Sequence, residues 1–182
     1  MNDEASPVPT TTEPADAAAL GVGAALERLY GEIAERSMRG LPVYNAALRV
    51  EAVGFRAVGG RAVGIVATPW FMNLVVAALP GGEALPPRPA GASIDYAFAG
   101  GDFACVVGEM DGFGRVDSAS LFSPMFQFDD PEVVRAVAEA AIAEITTAPE
   151  PAPAEPVPEP VRLDRRALLF GRRGGEGGTS WR

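Results

Sequence analysis

The chain has 182 residues, a length typical of one domain with additional terminal segments rather than of two domains. All 15 basic residues are Arg, His is absent and Cys105 is the single cysteine, which excludes Ser-His-Asp and Cys-His catalytic sites, histidine-ligated metals, lysine Schiff bases and an intrachain disulfide. The formal net charge of −9 argues against nucleic-acid binding and against docking on an anionic membrane.

The N-terminal part combines an acidic segment with an amphipathic helix. Residues 1–16 are rich in Pro, Thr and acidic side chains, a composition typical of a disordered tail. Apolar residues then recur at helical spacing and predict a helix over 22–39, which Gly40 and Pro42 end. The acidic start is not a secretory signal, and the longest apolar run, 70–80, is too short to span a bilayer. We therefore expect a cytoplasmic protein without membrane insertion.

Alternating apolar and polar residues predict strands from about residue 47 to 122. Turns are expected at Gly59-Gly60, at Gly100-Gly101 and over 111–114, and a long loop over 80–92, where Pro and Gly cluster. These turns divide the region into about six strands. Short hairpin connections favour an antiparallel sheet.

A second helix is expected to follow the strands. Asp130 is placed to cap it, Pro131 to take its first position and Glu132 to favour its positive end. The predicted fold is therefore α+β: an antiparallel sheet of about six strands flanked by an N-terminal and a C-terminal amphipathic helix, with disordered tails. The two helices are expected to cover one face or end of the sheet, within a domain over 17–147.

The C-terminal part changes composition twice. Residues 148–160 alternate Pro with Ala, Glu and Val, a pattern typical of a stiff, extended linker. Residues 161–182 form an Arg-rich and Gly-rich basic tail.

Candidate catalytic groups have structural explanations. Of the paired acids, Asp130 is explained as a helix cap and Asp111 as a turn residue, and Cys105 lies on the apolar side of a strand, where no His or Lys can activate it. We therefore expect a protein that is not an enzyme and that has no cofactor and no metal site.

Two apolar stretches, one after Pro69 and one before Asp129, are the candidate partner-binding segments. Two interpretations remain open: core strands interrupted by proline, or aromatic and methionine anchors for another protein. The anchor interpretation assigns partner binding to Pro69, Trp70, Phe71, Met72, Asn73, Phe122, Pro124, Met125 and Phe126.

Three stretches, 40–55, 68–75 and 120–128, resemble the HybE/HupJ family of nickel–iron hydrogenase assembly chaperones. The run Thr-Pro-Trp-Phe-Met-Asn from Thr68 to Asn73 is the most distinctive, and the resemblance covers about residues 24–147. It implies a cytoplasmic accessory protein that binds a large-subunit or small-subunit precursor and other maturation proteins, with no catalytic residues to carry over. Small-subunit precursors in such systems bear a twin-arginine export signal, so that signal peptide is a candidate ligand.

The basic tail resembles part of the same export signal. Residues 163–170 place two arginines before an apolar run, as in the box Ser/Thr-Arg-Arg-x-Phe-Leu, with departures at Asp164 and Leu168. The segment is either a disordered basic tail or an internal mimic that occupies the client site until a precursor displaces it. The mimic residues are Arg165, Arg166, Leu168, Leu169 and Phe170.

Three functions therefore remain in view. The first is a maturation chaperone for a hydrogenase subunit precursor, and the second is a generic adaptor that uses the same surface for another client. The third, a hydrolase built on carboxylates alone, is disfavoured because His and Lys are absent.

Overall fold

The first helix starts earlier than its apolar spacing predicts. In the computed structural model, which describes residues 12–147, α1 spans Thr12–Ile33 and continues as a π-helical turn over Ala34–Met38. The Asp16 carboxylate accepts a 2.8 Å hydrogen bond from the backbone N–H of Ala57, and Ala19 is fully buried. The prediction of disorder over 1–16 is therefore wrong for residues 12–16, because composition does not register these long-range contacts.

The remaining terminal segments, 1–11 and 148–182, lie outside the described residues. The linker over 148–160, the basic tail over 161–182 and the five mimic residues all fall there, and they stay predictions.

The central element is a six-stranded antiparallel sheet, and the predicted fold class is confirmed. Every neighbouring pair of strands is antiparallel, in the spatial order β1-β2-β3-β6-β5-β4. The strands are β1 Glu51–Val58, β2 Arg61–Ala67, β3 Met72–Ala78, β4 Ser93–Phe98, β5 Gly101–Met110 and β6 Gly114–Phe122.

The two helices pack on opposite faces of the sheet, so the expectation that both cover one face or end is wrong. One apolar layer joins α1 to Val66 and Val75. The other joins α2, which spans Pro131–Thr146, to Ile65 and Leu74. Because β2 and β3 are apolar on both faces, only a helix on each side can bury them.

Close contact between α1 and the sheet depends on glycine. A Cβ on Gly23 would lie 2.8 Å from the ring of Phe55, and one on Gly64 would lie 2.3 Å from the same ring. The Phe55 ring therefore occupies space between Gly23 and Gly64 that any side chain larger than hydrogen would fill. This packing accounts for the glycine at position 23.

The second helix begins where its capping residues predict. The Asp130 side chain accepts a 2.8 Å hydrogen bond from the backbone N–H of Glu132, and Pro131 occupies the first turn. Glu132 also pairs with Arg49 at 2.7 Å, and Arg135 pairs with Glu51. These ion pairs join the start of α2 to the start of β1.

Candidate functional site

The two candidate partner-binding segments meet at one end of the sheet. β3 begins at Met72 and β6 ends at Phe122, and the two residues are direct neighbours across the strands. The turn before β3 and the loop after β6 therefore leave the sheet side by side. This convergence results from strand order and was not visible in either segment alone.

Asn45 joins these two segments to each other. Its side-chain amide donates hydrogen bonds to the carbonyl oxygens of Met125, at 3.0 Å, and Phe128, at 2.7 Å. Its backbone N–H donates to the carbonyl oxygen of Pro69 at 2.9 Å. One half-buried asparagine thus satisfies polar groups of both loops, a role that the sequence analysis missed.

Thr68 fixes the turn that precedes β3. Its backbone N–H donates to the carbonyl oxygen of Phe71 at 2.7 Å, and its hydroxyl oxygen accepts from the N–H groups of Trp70 and Phe71 at 3.2 and 2.9 Å. Pro69 at the second position suits such a turn because its φ is preset. The backbone of Trp70 and Phe71 is therefore fixed by hydrogen bonds to Thr68.

Tryptophan 70 belongs to a buried aromatic row rather than to an exposed surface. Trp70 is 8% exposed, stacks on Tyr44 at 6.2 Å between ring centroids and meets Phe71 edge to face at 5.6 Å. Phe71 in turn meets Tyr30 of α1 at 5.4 Å. The expectation that Trp70 is an exposed anchor is wrong, because Tyr44 and Phe71 pack against its ring and leave it 8% exposed.

Several other predicted anchors are also part of the core. Met72 and Met125 are both 0% exposed and pack in the layer that contains α2, and Pro69 is buried. The burial of these three residues is what the core interpretation expects. Met72 is enclosed because the sheet is covered on both faces, as the continuous apolar run of β3 could have indicated.

The remaining candidates keep some or all of their surface. Phe71, Asn73 and Phe122 are half-buried, whereas Pro124 is exposed and Phe126 is 58% exposed. Phe122 is held by an edge-to-face contact with Phe128 at 5.3 Å. We call these partly exposed candidates, Phe71, Asn73, Phe122, Pro124 and Phe126, the client surface. The side-chain oxygen of Asn73 is itself buried and has no hydrogen-bond partner within residues 12–147.

A groove between α1 and the segment that leads into β1 was not predicted. It encloses about 580 Å³, and its wall includes Tyr44, Gly31 and Leu48. Charged side chains of both signs also line it, among them Glu27 and Arg39. The glycines of α1 were the available signal, since a helix interior normally avoids them.

A buried ionic cluster on β6 was also missed. Asp117 is 0% exposed and accepts hydrogen bonds from the Tyr96 hydroxyl at 2.6 Å and from Arg115 at 2.8 Å. Arg115 also donates to the carbonyl oxygen of Pro86 at 2.5 Å, which ties the 80–92 loop to the sheet. Burial and the neighbouring Asp117 raise the pKa of Tyr96, so its hydroxyl remains a donor. The signal was an Arg and an Asp two residues apart on one strand face.

The Cys105 thiol and the acidic side chains are candidate reactive groups within residues 12–147. Burial, with the nearby carboxylates of Asp117 and Asp95, raises the pKa of the Cys105 thiol to about 11, so the nucleophilic thiolate is suppressed. Within residues 12–147, no three acidic or cysteine side chains converge as metal ligands. No helix in the same range is long and apolar enough to cross a membrane.

Comparison with known proteins places these features in a family. The model of the family described as "NiFe-hydrogenase assembly, chaperone, HybE" matches residues 22–171, so the match continues past the 24–147 of the sequence resemblance and includes Arg165 and Arg166. The hydrogenase expression/formation protein HupJ of Bradyrhizobium diazoefficiens is 47% identical over 160 residues, which is 86% of this chain and 91% of that protein.

More distant relatives agree in sequence and structure. The hydrogenase-2 operon protein HybE of Escherichia coli strain K12 is 32% identical over 154 residues, covering 84% of this chain and 91% of the relative. The solution structure of HybE from Escherichia coli superposes with a TM-score of 0.58 at 30% identity, covering 85% of this chain and 91% of that one. The chain therefore belongs to the HybE family of nickel–iron hydrogenase assembly chaperones.

Proposed function

We propose that this protein binds the precursor of a nickel–iron hydrogenase subunit in the cytoplasm, before export or subunit assembly, and that it acts by binding rather than by catalysis. Family membership supports the link to hydrogenase assembly, and the relative from Bradyrhizobium diazoefficiens is named as a hydrogenase expression/formation protein. The suppressed thiol of Cys105 agrees with a non-catalytic role.

The client surface is the proposed binding site, and the observation that carries the proposal is the way Phe126 is presented. Its ring is 58% exposed, yet the carbonyl groups of Met125 before it and Phe128 after it are both held by Asn45. An exposed aromatic side chain on a fixed backbone loses little conformational entropy on binding. Such residues are frequent interface hot spots.

The buried residues of the same segments act as the support of this surface. Trp70 and Met125 fill the core directly beneath the two loops, and Asn45 joins the loops to each other. Precursors of the large and of the small subunit are both candidate clients, and the twin-arginine signal peptide of the small subunit is a candidate ligand. Other maturation proteins are candidate partners at the same stage.

Substitution of Phe126 tests this proposal. Phe126→Ala should weaken binding of the cognate subunit precursor at least tenfold, as expected when a hot-spot aromatic residue worth about 2 kcal/mol is removed. Leu20→Ala is the matched control, because Leu20 is an equally exposed apolar residue, 60% exposed on α1. Affinities would be measured by calorimetry with both purified precursors.

The outcome depends on which variant loses affinity. Equal binding by Phe126→Ala and the unchanged protein would contradict the client surface. Loss of binding in Leu20→Ala alone would move the site to α1. Failure of both precursors to bind, together with stable capture of an unrelated protein, would favour the adaptor function instead.

A further inference from the structure

The two edges of the sheet are protected to different degrees. The β1 edge carries side-chain caps from α1: Glu27 accepts from the backbone N–H of Ala52 at 2.7 Å, and Asp16 accepts from that of Ala57 at 2.8 Å. Such caps occupy the groups that an additional strand would need. These two N–H groups are therefore not available to an added strand.

The β4 edge has unpaired backbone groups. Phe98 pairs with Gly101 across a two-residue turn, and Val107 donates to the carbonyl oxygen of Ala92 at 2.9 Å. Because bonded and non-bonded pairs alternate along an antiparallel ladder, the N–H and C=O groups of Ser93, Asp95 and Ala97 point away from β5. Within residues 12–147, no other group hydrogen-bonds to them.

The side chains beside this edge have a defined chemistry. Asp95 is exposed, and so is Asp102, which pairs with Ala97 on the neighbouring strand. The rest of that exposed strand surface is made of small side chains and Val106, 54% exposed. On the other side of β4, Ile94 and Phe98 are half-buried apolar residues. An added strand would therefore meet carboxylates on one face and apolar side chains on the other.

A second copy of this chain does not fit that chemistry. Edge-to-edge pairing of two β4 strands would bring the Asp95 carboxylates of the two copies close to each other, with Asp102 one strand further in, and like charges across neighbouring strands are destabilising. The net charge of −9 adds to the repulsion. The carboxylates instead complement a positively charged occupant.

We propose that the free edge of β4 binds an extended segment of a partner protein as a seventh strand, and that this segment alternates Arg or Lys with apolar residues. Backbone hydrogen bonds to Ser93, Asp95 and Ala97 supply the pairing, and the carboxylates select the cationic side chains. This site is separate from the client surface, so either can fail without the other.

Three synthetic hexapeptides test the proposal on the full-length protein. The probe is acetyl-Arg-Val-Arg-Ile-Arg-Val-amide; an acidic peptide with Glu in place of each Arg and an N-methylated form of the probe are the controls. In ¹⁵N NMR spectra the probe should shift the amide signals of Ser93, Asp95 and Ala97 and slow their hydrogen exchange. The controls should do neither, because one lacks the charge and the other lacks the backbone donors.

Variants locate the site. Asp95→Lys should weaken probe binding by about two- to fivefold, because one opposite-charge cross-strand pair is lost. Ala97→Pro should also weaken it, because it removes an outward N–H without breaking the ladder to β5. Glu139→Lys, an exposed charge reversal on α2, should leave binding unchanged. Equal binding of the N-methylated peptide, or full affinity in Asp95→Lys, would overturn the proposal.

Discussion

The side-chain amide of Asn45 donates a 2.7 Å hydrogen bond to the carbonyl oxygen of Phe128, 83 residues further along the chain. The same nitrogen reaches Met125 at 3.0 Å. Asn45→Ala removes both bonds and leaves two carbonyl groups without this donor. The free energy of unfolding should fall by about 1–3 kcal/mol. Urea denaturation measures this change. A loss below about 0.5 kcal/mol would show that the loop after β6 keeps its conformation without Asn45.

Asn45→Ala should also change the affinity for the precursor. With the loop released, Phe126 would have to be ordered by the client, so Asn45→Ala should weaken precursor binding even at temperatures where the protein is folded. Unchanged affinity in a folded Asn45→Ala protein would show that precursor binding does not depend on the hydrogen bonds of Asn45.

Trp70 should behave as a core residue. It is 8% exposed between Tyr44 and Phe71, so Trp70→Ala should lower the free energy of unfolding by about 3–5 kcal/mol. Phe126→Ala should change it by no more than about 0.5 kcal/mol, since the ring is 58% exposed. Thermal melts of the two variants give the comparison, and similar melting temperatures would contradict this assignment.

The Cys105 thiol should be inert in the folded protein. Its pKa is raised from the ordinary value of 9.0 to about 11, which lowers the thiolate fraction at pH 8 about a hundredfold, and burial blocks access as well. A thiol reagent such as a disulfide dye should react only as the protein unfolds. Rapid reaction without denaturant would show that β5 opens locally.

The same shift has a consequence for stability. The folded state holds the Cys105 proton more tightly than the unfolded state does, so the protonated thiol contributes to the free energy of unfolding. This contribution is fully present below about pH 9 and is lost as the pH rises towards about 11. Cys105→Ala should therefore flatten the decline of stability across that alkaline range. An identical decline in the unchanged protein and in Cys105→Ala would show that other groups cause the alkaline loss of stability.

The basic tail carries a separate prediction. If residues 163–170 act as an internal mimic, a tethered segment at millimolar effective concentration competes with a weak client. Truncation after Pro160 should then tighten client binding, and the gain should shrink at high salt because Arg165 and Arg166 act through charge. Equal affinity of the truncated and complete chains at both salt concentrations would leave only the disordered-tail interpretation.

The strand and helix boundaries could be predicted from the sequence because they are set by residues at the boundaries themselves. The glycine pairs at 59–60 and 100–101 end strands by their own turn chemistry, and Asp130 with Pro131 marks a helix start wherever it lies. The burial of Trp70 involves instead its stacking on Tyr44, which lies 26 residues earlier in the chain. That contact is long-range, so no pattern around residue 70 indicates it.

The central claim is that this protein binds a hydrogenase subunit precursor through the client surface. The most direct test is calorimetric titration of the purified protein with the large-subunit and the small-subunit precursor of its own host, before and after Phe126→Ala. The account predicts that at least one precursor binds with a dissociation constant of about 10 µM or tighter, and that the substitution weakens that binding at least tenfold. Binding of neither precursor, or binding that Phe126→Ala leaves unchanged, would contradict it.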